Sequence, residues 1–110
     1  MRRPFAALVL AGAGVGAFAQ GSGGADAAAL AQGRQLFNGG AQPACAVCHT
    51  LKDAGAEGAV GPVLDELKPD ANRVATALRN GVGAMPSFKG TLTEAQIQAL
   101  ARYVAAVAGR

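Results

Sequence analysis

The stretch Cys45-Ala46-Val47-Cys48-His49 holds both cysteines of the chain and its only histidine. Any fold must form around whatever this triplet binds or reacts with. Three chemistries are open: a disulfide or redox dithiol, a metal site such as zinc, and covalent attachment of a haem. A thioredoxin-like dithiol needs its Cys-x-x-Cys in a βαβ setting, and residues 20–110 offer no convincing alternating strand to build one. A structural disulfide across so short a loop would constrain the unfolded chain less than a long one, and it gives His49 no role. Structural zinc takes four ligands. Two cysteines and one histidine exhaust the strong donors here, so a carboxylate would have to complete the set. Haem attachment uses every member. Cys45 and Cys48, one helical turn apart, can add across the two vinyl groups of one porphyrin edge, and His49 then sits beneath the iron as proximal ligand. Cys-x-x-Cys-His is the c-type haem signature.

The start of the chain sets the compartment in which this chemistry would occur. Arg2 and Arg3 precede an apolar run from Phe5 to Ala19 that closes on Ala17-Phe18-Ala19, the pattern of a secretory signal peptide cleaved after about Ala19. The run is diluted by Gly12, Gly14 and Gly16 and falls short of the ~20 strongly apolar residues that span a bilayer. No stable membrane insertion is therefore expected after cleavage, and the protein is expected in the periplasm. Residues 20–25 read as a flexible leader and 26–110 as one small domain. Ten Lys and Arg against seven Asp and Glu give a net charge of +3, but Arg2 and Arg3 leave with the signal. The remaining basic residues are scattered among acidic ones with no interleaved aromatic platform, which argues against nucleic-acid binding.

Helical periodicity dominates what is left. An Ala-rich helix is expected from about Asp26, its N-cap, to Asn38, with Leu30, Gly33, Leu36 and Phe37 at helical spacing. Gly33 weakens such a helix by ~1 kcal/mol relative to Ala, which is informative if another helix crosses there. Residues 51–69 read as loop, with a short segment Val63–Leu67. A second helix should run from the N-cap Asp70 to Asn80 and stop at Gly81. A third opens on the capping box Thr93-Glu94-Ala95-Gln96 and continues to about Ala108. The expected class is all-α. Beyond the signal peptide, Phe37, Phe88 and Tyr103 are the only aromatics, so a buried macrocycle would supply missing core bulk.

The sixth position on a haem iron follows by elimination. A second histidine does not exist, and Met85 is the only thioether left once Met1 is removed. It lies in Gly-Val-Gly-Ala-Met-Pro-Ser-Phe, where Gly81 and Gly83 permit tight turns. Met85 as mere core filler, a five-coordinate iron, or capture by Lys52, Lys68 or Lys89 are the alternatives. Ala46, Val47, Gly83, Ala84 and Pro86 should form an uncharged rim at the haem edge.

On these residues the sequence resembles the class I monohaem cytochromes c over nearly all of 26–110. Gly-Arg-Gln-Leu-Phe, residues 33–37, looks like their N-terminal helix, and Leu100 and Tyr103 match the partner positions of the C-terminal helix that crosses it. Gly61-Pro62 with Leu64 looks like the haem-packing loop, whose proline carbonyl accepts the proton on the proximal histidine. Ala-Met-Pro-Ser-Phe looks like the methionine-ligand loop. The resemblance implies three main helices and loops wrapped around one haem c, with Cys45, Cys48, His49, Pro62, Leu64 and Met85 as its site. It transfers no propionate contacts, because the middle section is short and tryptophan is absent. Residues 44–69 and 77–90 further resemble the small cytochrome partners of bacterial sulfite dehydrogenases. The implied function is a one-electron carrier, not an enzyme, passing electrons from such a molybdenum enzyme towards a downstream cytochrome or respiratory oxidase. A carrier for another dehydrogenase is the alternative. A haem peroxidase or ligand sensor is a further one, although it should carry a distal acid–base group, usually a second histidine.

Overall fold

The computed structural model describes residues 22–110 and the isolated positions 4, 7, 9, 11, 12 and 14. Apart from those positions, the expected signal peptide and the first two leader residues lie outside the described residues. The described chain runs through α1 (Ser22–Gln35), α2 (Cys45–Cys48), β1 (Thr50–Leu51), β2 (Ala56–Glu57), α3 (Leu64–Leu67), α4 (Ala71–Asn80) and α5 (Glu94–Val107). A π-helical turn, Leu36–Gly40, extends α1, and a 3-10 turn, Lys52–Ala54, links the strands. The class is all-α, as expected.

Local chemistry explains the helix ends. Thr93 accepts from the Gln96 N–H while the Gln96 side chain accepts from the Thr93 N–H, which closes a capping box on α5. Asp70 accepts from the Arg73 N–H and caps α4. That helix stops at Gly81, whose φ of 71° favours glycine. α1 departs from expectation: it starts at Ser22, inside the leader, so Asp26 is an interior residue and not the cap. The run Ala27–Ala29 favours helix strongly enough to propagate it backwards. The segment 51–69 was expected as loop but contains a two-residue antiparallel ladder, Thr50 opposite Glu57 and Leu51 opposite Ala56.

α5 carries the core. Ile97, Leu100, Ala101, Tyr103 and Val104 are all buried, and the helix packs on both α1 and α4. The crossing with α1 depends on Gly33, where an added Cβ would overlap the Cβ and the base of the ring of Tyr103. Tyr103 meets Phe37 edge to face at 6.2 Å, and its hydroxyl donates to Asp53 Oδ2 at 2.6 Å. Asp53 also pairs with Arg34 on α1 at 3.0 Å, so one carboxylate ties α1, the 3-10 turn and α5 together. The tyrosine hydrogen bond first, and Arg34 after it, hold the Asp53 carboxyl below its usual range. Burial first, and then Asp53, push the Tyr103 phenol up to about 12.

Gly33→Ala should lower the melting temperature. Helix propensity alone favours alanine by ~1 kcal/mol, but overpacking typically costs about 1–3 kcal/mol, and here the obstacle is the rigid base of a buried side chain. Thermal unfolding followed by circular dichroism reads the result, and an unchanged or higher midpoint would show that the helices do not need this close approach.

Candidate haem site

A cavity of about 380 Å³ opens between α2, the loop before α3, α4, the 82–88 loop and α5. That volume lies within the ~300–1,000 Å³ of small-molecule clefts. Cys45, Cys48, His49, Pro62, Leu64 and Met85 all line it. Lys52, Lys68 and Lys89 do not; Lys52 and Lys68 border a separate depression with Asp65 and Gly109.

The attachment end is built by hydrogen bonds to the backbone. The single turn of α2 presents Cys45 and Cys48, and the His49 N–H closes it by donating to the Cys45 carbonyl at 2.9 Å. His49 Nδ1 then lies 2.7 Å from the Pro62 carbonyl. An amide oxygen can only accept, so Nδ1 carries the proton and Nε2 keeps its lone pair for a metal. The proton-bearing nitrogen fixes the ring plane as well as the tautomer.

Two glycines pack behind this turn, Gly61 of the expected haem-packing loop and Gly58 three residues before it. The Gly61 N–H donates to the Cys48 carbonyl at 2.6 Å, and the Gly58 N–H donates to the His49 carbonyl at 3.2 Å. A Cβ on Gly61 would lie 2.6 Å from His49 Cε1, and one on Gly58 would lie 2.6 Å from the Cys48 carbonyl carbon. The chain presses directly against the imidazole there, which only a residue without a side chain permits.

Met85 enters from a pinned turn. The Val82 N–H donates to the Met85 carbonyl at 3.0 Å and the Met85 N–H to the Val82 carbonyl at 2.9 Å. Gly83 occupies the left-handed region at φ 55° between them, and the Phe88 N–H anchors the exit of the loop to Leu78 O at 2.7 Å. Phe37, Leu78, Phe88, Leu100 and Val104 make the cavity floor apolar. The mouth is apolar too: Val60 and Val82, which sequence reasoning passed over, line the cavity and are 76% and 63% exposed. Of the five residues expected at the haem edge, Ala84 and Pro86 line the cavity, whereas Ala46, Val47 and Gly83 do not; Val47 is 64% exposed.

The donor set fits haem and fits the alternatives poorly. Among the described residues no group of three or more His, Cys, Asp and Glu side chains converges as a zinc site would require. Burial pushes the Cys45 thiol up to about 11, the opposite of the lowered value that a redox dithiol or reactive nucleophile needs. Two thiols, one imidazole with a free Nε2 and one thioether around an apolar slot match two thioether bonds and two axial ligands.

The comparisons agree with this chemistry. The family model described as cytochrome C oxidase, cbb3-type, subunit III matches residues 28–104. Cytochrome c6 of Leptolyngbya boryana is 38% identical over 84 residues, covering 73% of this chain and 91% of its own. Chloroplastic cytochrome c6 of Chlamydomonas reinhardtii is 36% identical over 94 residues, covering 76% of this chain and 58% of its own. The crystal structure of the c-type cytochrome SorU from Sinorhizobium meliloti superimposes with a TM-score of 0.73 at 55% identity, over 76% of this chain and 95% of that one. The chain therefore belongs to the cytochrome c family, as a small monohaem class I member with one covalently bound haem c and the work of an electron carrier.

Proposed function

We propose that the protein is a periplasmic one-electron carrier that accepts electrons from a molybdenum-dependent sulfite dehydrogenase and delivers them towards a respiratory oxidase, after removal of residues 1–19. In this reading Cys45 and Cys48 form the thioethers, His49 and Met85 are the axial ligands, the Pro62 carbonyl orients His49, and Leu64 packs on the ring. When bound, the haem would supply a reversible ferrous–ferric couple, and His49 and Met85 would hold its iron and keep substrate from it. The observation that carries the assignment is the 2.7 Å contact from His49 Nδ1 to Pro62 O in a cavity that Cys45, Cys48 and Met85 also line. No second histidine exists to serve as a distal acid–base group. The donor is supported by the resemblance of residues 44–69 and 77–90 to the cytochrome partners of such dehydrogenases.

Stopped-flow mixing with the reduced dehydrogenase tests the pairing. Electron transfer should outpace that to an unrelated cytochrome of similar potential, and equal rates would remove the donor from the proposal. The rim is tested with it. Val47→Glu places a charge on the exposed residue between Ala46 and Cys48 without replacing a ligand, and should slow transfer roughly 5-fold or more, equivalent to ~1 kcal/mol of docking energy. An unaltered rate, with potential and folding also unaltered, would put the electron exit elsewhere.

A further inference from the structure

We propose that the Ser87 hydroxyl is a positioning group for Met85: by clipping the methionine loop to the end of α4, it holds the thioether against release from ferric iron. The inference rests on Met85 being an axial ligand, as proposed above, and concerns what keeps it in place. Thioether sulfur is a poor donor to ferric iron, so the bond itself does little to stop the loop from swinging away. The fold must supply that restraint.

The backbone donors and acceptors locate it. An α-helix ends with carbonyls that find no partner inside it. On α4, Ala77 O accepts from the Gly81 N–H at 2.8 Å, which closes the last helical turn. The next two carbonyls are met by the far side of the methionine loop. Leu78 O accepts from the Phe88 N–H at 2.7 Å, and Arg79 O accepts from the Ser87 hydroxyl at 2.5 Å. A carbonyl can only accept, so the hydroxyl donates; its oxygen in turn accepts from the Lys89 N–H at 3.3 Å. Helix end and loop thus complete each other's hydrogen bonds. The Arg79 side chain also pairs with Glu94, which fastens this end of α4 to the first turn of α5.

Ser87 is the one side chain in this clip, and it carries the only hydroxyl of segment 81–88. The other contacts around Met85 cannot replace it. The paired hydrogen bonds between Val82 and Met85 close the turn on itself and attach it to nothing else. Pro86 has no N–H to pin the strand that leaves Met85. That strand passes against Gly81, where an added Cβ would lie 2.7 Å from Met85 O and 3.0 Å from Ser87 N, so the neighbour offers no side chain to grip it. Phe88 is buried at 3% exposure and stays seated by its ring, three residues from the ligand. Ser87 is the nearer anchor. Without its hydroxyl the segment before Phe88 opens more often, and loss of one such bond should raise the open fraction roughly 5-fold.

Imidazole reads that fraction. An external ligand reaches the ferric iron only in the open form, so its apparent affinity rises in proportion to the open population. Ferric holoprotein is titrated with imidazole for wild type, Ser87→Ala and Ser87→Thr, following loss of the far-red methionine-to-ferric-iron charge-transfer band. Ser87→Ala should bind imidazole roughly 5-fold more tightly than wild type, and Ser87→Thr, which keeps the hydroxyl, should stay close to wild type. A general loss of stability does not move this reading, because globally unfolded molecules are too rare to contribute. If Ser87→Ala does not accumulate, Ser87→Thr and Ser87→Val carry the comparison, alike in shape and different in the donor, with Ser87→Val the tighter binder. Coinciding affinities for wild type and Ser87→Ala, or a Ser87→Thr protein that binds as tightly as Ser87→Ala, would overturn the role of the hydroxyl. A wild-type ferric protein that lacks the charge-transfer band would instead overturn Met85 as the ligand on which the proposal rests.

Discussion

Met85→Ala should lower the reduction potential and open the iron to small ligands. A thioether is a poor donor to ferric iron and so favours the ferrous state; water or an empty position in its place does not. Axial ligands set haem potentials over a range of ~0.8 V, and the expected fall is on the order of 0.1 V or more. The turn from Val82 to Met85 is held by backbone hydrogen bonds, so removal of the side chain should leave the loop standing and the sixth position vacant. Carbon monoxide should then bind the ferrous variant rapidly at neutral pH, while the wild type excludes it. An unchanged potential with unchanged exclusion of carbon monoxide would remove Met85 as a ligand. Rapid binding by the wild type would favour a sensor or peroxidase.

The second large effect concerns folding. Cys45→Ala/Cys48→Ala, expressed with full maturation machinery, should yield almost no haem-loaded protein and a far-ultraviolet spectrum with much reduced helix. At ~24 cal/mol per Å³, an unfilled cavity of about 380 Å³ would cost at most on the order of 9 kcal/mol. That upper bound is comparable with the whole stability of a small domain, about 5–15 kcal/mol. Water entering through the open mouth softens the penalty but leaves Phe37, Leu78, Phe88 and Leu100 facing it. Retained native helicity in the haem-free double variant would show that the chain folds without its cofactor.

What could be read from the sequence was what is written locally. Cys45, Cys48 and His49 are contiguous and chemically unambiguous as a set, and the caps at Asp70 and Thr93 combine side-chain type with fixed spacing. Met85 emerged by elimination, because the chain has so few thioethers. Pro62 was accessible only through resemblance: a backbone carbonyl has no residue type to betray it. Gly61 was named with Pro62 through the resemblance, but the close approach of Gly58 and Gly61 to the attachment turn stayed hidden, because it is signalled by a missing side chain in a chain with 16 glycines. The β1–β2 ladder, two residues on each strand, is too short to show alternation. The early start of α1 illustrates the converse, a run of good helix formers overriding an apparent cap at Asp26.

The cavity walls are drawn from chain positions as distant as Phe37 and Val104, whereas its two thiols lie within one turn of α2. A thioether link can therefore form on a local segment before the walls close, and everything that follows happens inside one molecule. Tethering gives the macrocycle an effective local concentration of millimolar order towards its remaining partners, whatever the bulk dilution. A cofactor held reversibly escapes once its carrier is diluted below the dissociation constant. Here there is no second particle to lose, so the carrier keeps its electron site through every encounter.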